Sequence, residues 1–345
     1  MMSRVYLDHN ATTPLRSQAR DAMIAAMDVV GNPSSVHAEG RAAKSLLERA
    51  RGQVADAVGA GQADIVFVSG ATEAAALALA GRDLHGSDLE HEAVRAWVSC
   101  GLPVVNGLVV VDDPARSVVQ LANSETGIIQ ALPAGLAVSD ITQGFGRVAF
   151  SYSWAGVEQV FLSAHKFGGP KGVGALIVPQ GYDVAAQLRG GGQEMGRRSG
   201  TENIIAIAGF AAAAIAAQGD LAQGRWDRVA QLRNILEKAV AAQAPHTIFV
   251  RNDVNRLPNT TCMICPGWRG ETQVMAMDIA GFAVSAGSAC SSGKVRKSPV
   301  LTALGYDTDQ AGCALRVSLG IETTEDEVLR FADAWCARAK RMMAA

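Results

Sequence analysis

Apolar and polar positions along this chain switch repeatedly between a helical and a strand period. From residue 40 to 58 the apolar residues Ala43, Leu46, Leu47, Ala50, Val54 and Ala57 recur at three- and four-residue spacing, with Lys and Arg opposite, which predicts an amphipathic helix. Ile65-Val66-Phe67-Val68 is a short buried-strand pattern that ends at Ser69-Gly70-Ala71-Thr72-Glu73, before an Ala/Leu-rich helix. Further strands are predicted at 108–111, 118–121, 160–162 and 175–178. The nearly pure apolar run 204–217 is too short to span a bilayer and reads as a buried helix. A long amphipathic helix at 224–242 bridges into a second region, with strands at 247–250 and near Cys262 and helices at 271–279 and 324–343. This alternation predicts an α/β architecture with a mainly parallel sheet.

Composition narrows the picture. A chain of 345 residues exceeds the usual single core, so two domains are expected. With 49% hydrophobic and 19% charged residues it is not disordered, and a net charge of -2 gives no electrostatic reason to expect nucleic acid or an anionic membrane as partner. The start of the chain, Met1 to Asp8, has no apolar signal core, and a cytoplasmic location is expected. Six cysteines are scattered without a disulfide framework, which suits a reducing compartment. Cys262-Met263-Ile264-Cys265 has the C-x-x-C form, but no second pair and no nearby His completes a zinc set, so a buried strand is the plainer reading.

Four short stretches carry candidate chemistry. Ser69-Gly70-Ala71-Thr72 lies between a predicted strand and a predicted helix, where backbone N–H groups and the Thr72 hydroxyl cradle a phosphate; a simple helix N-cap is the alternative. Asp140 follows the apolar segment 136–138. A carboxylate at a strand end pairs with a pyridinium nitrogen, or is an ordinary turn aspartate. Lys166 follows the strand at 160–162 in Ser163-Ala164-His165-Lys166. An ammonium is costly there, unless the lysine works as a Schiff-base nucleophile of lowered pKa. Cys290 lies in the Gly/Ser-rich stretch 285–293, predicted to be an exposed loop. Lys294, Arg296 and Lys297 favour its thiolate, against the alternative of a passive turn cysteine. Cradle, carboxylate and lysine together are what pyridoxal 5′-phosphate requires. A dinucleotide is excluded: Gly144-Phe145-Gly146 lacks a third glycine, and no helical pattern follows Gly172-Val173-Gly174.

A wider set of motifs runs nearly end to end: Tyr6-Leu7-Asp8-His9-Asn10-Ala11-Thr12-Thr13, Gly31-Asn32-Pro33-Ser34-Ser35-Val36-His37, Ser69-Gly70-Ala71-Thr72-Glu73, Glu90-His91, Ser163-Ala164-His165-Lys166, Arg198-Ser199-Gly200-Thr201-Glu202-Asn203, Gly287-Ser288-Ala289-Cys290 and Arg316-Val317-Ser318-Leu319-Gly320. In these the chain resembles the cysteine desulfurases, in the group with a long mobile cysteine loop, among the fold-type I pyridoxal-phosphate enzymes. The resemblance implies a large cofactor domain over 15–225, with a mainly parallel sheet of the seven-stranded type between helices. It also implies a smaller α+β domain from 1–14 and 226–345 that carries the Cys290 loop. Lys166 would hold the cofactor as a Schiff base and later move the Cα proton, while His91 would lie over the ring and assist. Asp140 would pair with the pyridine nitrogen and Gln143 with the phenolic oxygen. Thr72, Ser163 and His165 would bind the phosphate, with Ala71 beside them and Thr201 contributed by the other subunit of a homodimer. Asn32 and Arg316 would hold the substrate carboxylate. Cys290 would take sulfur from L-cysteine as a persulfide, releasing L-alanine. The sulfur would then pass to an acceptor protein, an iron–sulfur cluster scaffold or a sulfur carrier. No metal site is implied, apart from a cluster that Cys290 would share as ligand with a partner.

The chain departs from the family's pattern in places. Asn123-Ser124-Glu125-Thr126-Gly127 has Ser124 where a second Asn is usual beside the phenolic oxygen, and a serine offers a single donor. Only 15 residues separate Ser124 from Asp140, too few for a crossover with a full helix, so sheet surface is expected to need another cover. Arg296-Lys297-Ser298-Pro299 stands where Glu-Pro-Ser is usual. Two other readings stay open. One is a different pyridoxal-phosphate reaction, such as transamination, β-elimination or selenocysteine cleavage, making no essential use of Cys290. The other is a shortened, non-catalytic homologue acting as a partner.

Overall fold

The computed structural model describes residues 4–287 and 298–344, so Cys290 and the basic residues after it lie outside the described residues. Strand β1 (Val5–Tyr6) is followed by helices α1 (Ser17–Met27) and α2 (Ala38–Ala57). The start of α2 is set by His37, whose side chain accepts a hydrogen bond from the Gly40 N–H. Its buried residues Ala43, Leu47, Ala50 and Val54 keep the spacing of the apolar stripe. β2 (Ala63–Val68) leads into α3 (Ala71–Leu79). After β3 (His85–Gly86), α4 (Glu92–Arg95) and β4 (Ser99–Cys100) comes a hairpin of β5 (Val104–Val105) and β6 (Leu108–Val109). It turns at Asn106-Gly107, whose φ values of 52° and 82° suit a two-residue hairpin turn. β7 (Leu136–Asp140), α5 (Tyr152–Ala155), β8 (Val157–Ser163) and β9 (Gly174–Pro179) follow.

The main sheet has the order β2, β9, β8, β7. β7 and β8 are parallel, and β9 is antiparallel to both its neighbours. The segment 117–121 extends the sheet: Val118 bridges Val138, Ser117 bridges His85, and β3 pairs with β4, all in parallel. Seven strand positions result, parallel apart from β9. The strand expected at 118–121 is irregular, held beside β7 by hydrogen bonds from the Val119 N–H to the Val138 carbonyl (3.2 Å) and from the Leu121 N–H to the Asp140 carbonyl (2.8 Å). Both faces of the sheet are buried. Ile65, Phe67, Val160 and Leu162 meet α2 and α6 (Ile204–Ala222) on one side, and Val66, Val138, Phe161 and Leu176 meet α3 on the other. That is why these strands read as unbroken apolar runs rather than alternating ones.

The crossover from residue 121 to β7 contains no helix. The chain instead leans on the second half of the molecule, where Ile128 bridges Arg256 and the Ile129 N–H bonds to the Asn255 carbonyl at 3.0 Å. The β5–β6 hairpin covers the sheet surface in place of a helix, with Val109, Val111 and Leu132 against the core. The Gln130 side chain ties it down, accepting from the Val109 N–H and donating to the Gly107 carbonyl, both at 2.9 Å.

α7 (Arg225–Gln243) leads into β10 (Ile248–Phe249), β11 (Thr260–Ile264), α8 (Gly270–Ile279), β12 (Phe282–Ala283), β13 (Ser285–Ala286), α9 (Pro299–Ala303), α10 (Thr308–Gly312), β14 (Ala314–Ser318) and α11 (Glu325–Ala344). β10, β11, β14 and β13 form an antiparallel sheet in that order, and β12 pairs with β1. Trp226, Leu236, Phe331 and Trp335 from α7 and α11 fill the core against it. The C-x-x-C stretch is a buried strand and its end, with Cys262 and Cys265 both free thiols.

Candidate active site

β7 and β8 end at the same edge of the sheet, the edge at which ligands gather in such folds. A cavity of about 570 Å³ opens there. Asp140 is the last residue of β7 and Ser163 the last of β8, and the single turn Ala164–Lys166 carries His165 and Lys166 to the cavity wall. The first turn of α3 supplies Ala71 and Thr72, and His91 caps α4. Ser124 and Gln143 come from turns, and Arg316 reaches in from β14 in the other sheet. All ten residues line this one cavity.

Their surroundings differ in physically telling ways. Lys166 Nζ donates to the carbonyls of Asn10 and Ala11, both at 2.9 Å. Burial pushes the Asp140 carboxyl up, opposed by hydrogen bonds from Thr142 (N–H to Oδ1, 2.9 Å) and by the charges of His91 and Lys166. Burial also lowers the His91 imidazole, against the pull of Asp140. His91 Nδ1 accepts from the Ala93 N–H at 3.1 Å, which assigns the proton of the neutral ring to Nε2. His165 is pushed down to about 4 by burial and then by Lys166 and Lys171, so its ring is neutral at pH 7. Arg316 donates to Asp8 Oδ1 (2.8 Å) and to the Ser124 carbonyl (3.1 Å), while its buried Nε has no hydrogen-bond partner. This guanidinium is oriented but not saturated.

Two expected residues stand apart. Asn32 is exposed in the turn before α2, where its Oδ1 accepts from the Ser34 N–H at 2.9 Å, and it does not line the cavity. Thr201 is also exposed and away from it. The same motif does reach the α3 start through Arg198, which donates to Glu73 Oε1 at 2.8 Å while Glu73 Oε2 accepts from the Ser69 N–H at 2.7 Å. Cys290 lies outside the described residues.

Sequence reasoning missed Asn10 and Arg147 as parts of the site. Asn10 accepts from Lys166 and Gln143 through its carbonyl and donates from Nδ2 to the Ser124 carbonyl (3.1 Å) and Thr260 Oγ1 (2.9 Å). Its motif was visible, but its role depends on the N-terminal segment lying across the sheet edge. Arg147 carried one signal, a charge inside the otherwise apolar stretch Phe145-Gly146-Arg147-Val148.

The walls fit pyridoxal 5′-phosphate. A phosphate needs backbone N–H groups and neutral donors, and α3 opens on the cavity beside Thr72, Ser163 and His165. A Cβ at Gly70 would project toward Ser163 Oγ at 3.6 Å and fill part of that cradle. The buried carboxyl of Asp140 is suited to a ring nitrogen, and Lys166 to an aldehyde.

Comparison with known proteins matches residues 5–97 and 117–331 to the family model described as aminotransferase class-V. The unmatched stretch between them holds the β5–β6 hairpin. Cysteine desulfurases from Cereibacter sphaeroides and Frankia sp. (strain EuIK1) are 37% and 38% identical to the chain, over 95% of it and over 94% and 90% of their own lengths. Among solved structures, the NifS-like protein from Rickettsia africae ESF-5 superimposes with a TM-score of 0.88 at 30% identity, covering 99% of this chain and 100% of that one.

Proposed function

Since the chain belongs to the class-V aminotransferase family, and to the cysteine desulfurases within it, we propose that it takes sulfur from L-cysteine, leaving a persulfide on Cys290 and releasing L-alanine. The observation that carries this reading is the convergence of Lys166, Asp140, His91 and Arg316 on one cavity beside a phosphate cradle. Pyridoxal 5′-phosphate bound there supplies an electron sink for the Cα–H bond of an amino acid. Lys166 would hold its aldehyde, and the Lys166 amine would take and return the Cα proton of the substrate. Asp140 keeps the ring nitrogen protonated, and His91 offers Nε2 for proton transfers above the ring. Arg316 clamps the substrate carboxylate. The Cys290 thiolate attacks the substrate sulfur, so that an S–S bond forms as the C–S bond breaks and the β-carbon of the product gains a proton.

The same reading assigns 15–225 to a cofactor domain and 1–14 with 226–345 to a smaller one, with a second copy of the chain supplying Thr201 to the phosphate. It places the protein in the reducing cytoplasm, where a carrier or cluster scaffold accepts the sulfur. Among the described residues every cysteine is a free thiol, which agrees with that setting. The shortened crossover still leaves Lys166, Asp140, His91 and Arg316 on one cavity, which favours an enzyme over a non-catalytic partner. The test is incubation with cofactor, L-cysteine and a reductant, measuring alanine and sulfide and locating the persulfide by mass spectrometry. Alanine is expected from the parent and at most about a hundredth of it from Cys290→Ala; undiminished turnover by that variant overturns the role of Cys290.

A further inference from the structure

Arg147 lies four residues after Gln143, and its side chain is buried, 3% exposed, between the cofactor cavity and a second cleft lined by His9 and Trp226. Among the described residues it makes no ion pair with a carboxylate. Its hydrogen bonds all go to acceptors at the site: Gln143 Oε1 (2.6 Å) and carbonyl (3.3 Å), Asn10 Oδ1 (2.9 Å), the Lys166 carbonyl (2.8 Å) and the His9 carbonyl (3.4 Å), while its guanidinium lies 6.0 Å from the centre of the Trp226 ring. A buried cation without a counter-ion is costly, so its placement needs a reason.

A guanidinium has donors only. The Gln143 atom 2.6 Å away must therefore be the amide oxygen, and the NH2 end is turned to the Asn10 carbonyl at 3.0 Å and to the cavity. We propose that Arg147 is a positioning residue: it locks the Gln143 amide so that a donor, not an acceptor, faces the oxygen beside the bound aldehyde, and it pins the peptide that carries Lys166. The proposal rests on the cofactor reading above. The charged and titratable groups facing Lys166 include Asp140 and His91 across the cavity and the neighbouring His165, and those facing Arg147 include Arg316, Arg16 and His9.

Loss of a donor to that oxygen, and of a positive charge nearby, both favour a proton on the lysine–cofactor linkage, so the midpoint of its colour change with pH should rise. Full-length protein is loaded with pyridoxal 5′-phosphate and its visible absorbance titrated with pH, alongside thermal melts of the cofactor-free form. Arg147→Met is expected to raise the midpoint by about one pH unit. Arg147→Lys, which keeps the charge but cannot bridge the same acceptors, should raise it by less. In a Gln143→Met background the Arg147→Met shift should shrink to the share supplied by the lost charge, since the donor interaction is already gone. A midpoint within about 0.2 units of the parent in both Arg147 variants, with only the melting temperature lowered, assigns a purely structural role and overturns the proposal. A shift that survives intact in the Gln143→Met background also overturns it, because Arg147 would then act by its field alone. If Arg147→Met does not fold, Arg147→Lys decides by the same midpoint criterion. A parent that never colours overturns the cofactor reading itself, and this proposal with it.

Discussion

Lys166 and Asp140 end up on one cavity because each stands at or just beyond the end of one of two adjacent parallel strands, and a one-residue shift in β7 would turn the Asp140 side chain to the opposite face. A second buried acid stands near them. Burial pushes the Glu90 carboxyl up to about 8, opposed by the Gln120 N–H that its Oε1 accepts at 2.9 Å and reinforced by Asp140, while its Oε2 has no hydrogen-bond partner. Glu90 is therefore protonated in the folded protein at neutral pH but ionised in the unfolded chain. Its stabilising share is complete below pH 4.5, its ordinary value, and is lost as pH rises toward 8, by at most about 1.4 kcal/mol per pH unit. Glu90→Gln cannot ionise, so its stability relative to the parent should improve between about pH 5 and about pH 8. Thermal melts at both values check this, and a constant difference sinks it. Lys166 and Asp140 were legible as residues because a charged side chain at the end of an apolar strand is unusual, while Cys290 lies outside the described residues. Asn10 was not legible, since its partners lie more than a hundred residues away, and Arg147 offered only a charge inside an apolar stretch, with nothing to tell which acceptors it would reach.

Among the elements, the long helices followed the apolar period closely, because α2, α7 and α11 each bury one continuous stripe. The segment at 118–121 was harder: its apolar run is real, but the helix-free crossover leaves it with irregular pairing. The β5–β6 hairpin takes over the cover that a crossover helix would provide, and its turn is tightly set. Gly107 has φ +82°, and a Cβ there would lie 3.3 Å from Ile128 Cδ1. Gly107→Val should thus destabilise the fold by about 1–3 kcal/mol. Because the hairpin covers sheet surface rather than the cavity, cofactor affinity should stay at the parental value. Chemical denaturation and a cofactor titration read the two effects separately; an unchanged denaturation midpoint would show that the hairpin is not held as described.

At the scale of the whole molecule, the site needs both halves of the chain. Arg316 comes from the second sheet and is aimed by Asp8 near the N-terminus, across 308 residues of sequence. Thr201 is exposed, away from its own chain's cavity, as a residue serving a second copy would be. Mixed dimers of Lys166→Ala and Thr201→Ala chains should then regain activity that Lys166→Ala dimers lack, since one site receives an intact Lys166 and an intact Thr201. No recovery on mixing, with dimers verified by size, would place Thr201 outside the partner's site. The sequence alone determined the fold class and the family, and offered Thr72, Asp140 and Lys166 as the anchors proposed for the cofactor, because each rests on local signals: strand-end residues, glycine turns and the period of apolar positions. Only the tertiary structure decided which polar side chains hold those anchors in place, that Asn32 stays in its turn, and what covers the shortened crossover. Those outcomes depend on contacts between distant segments, which no local pattern encodes.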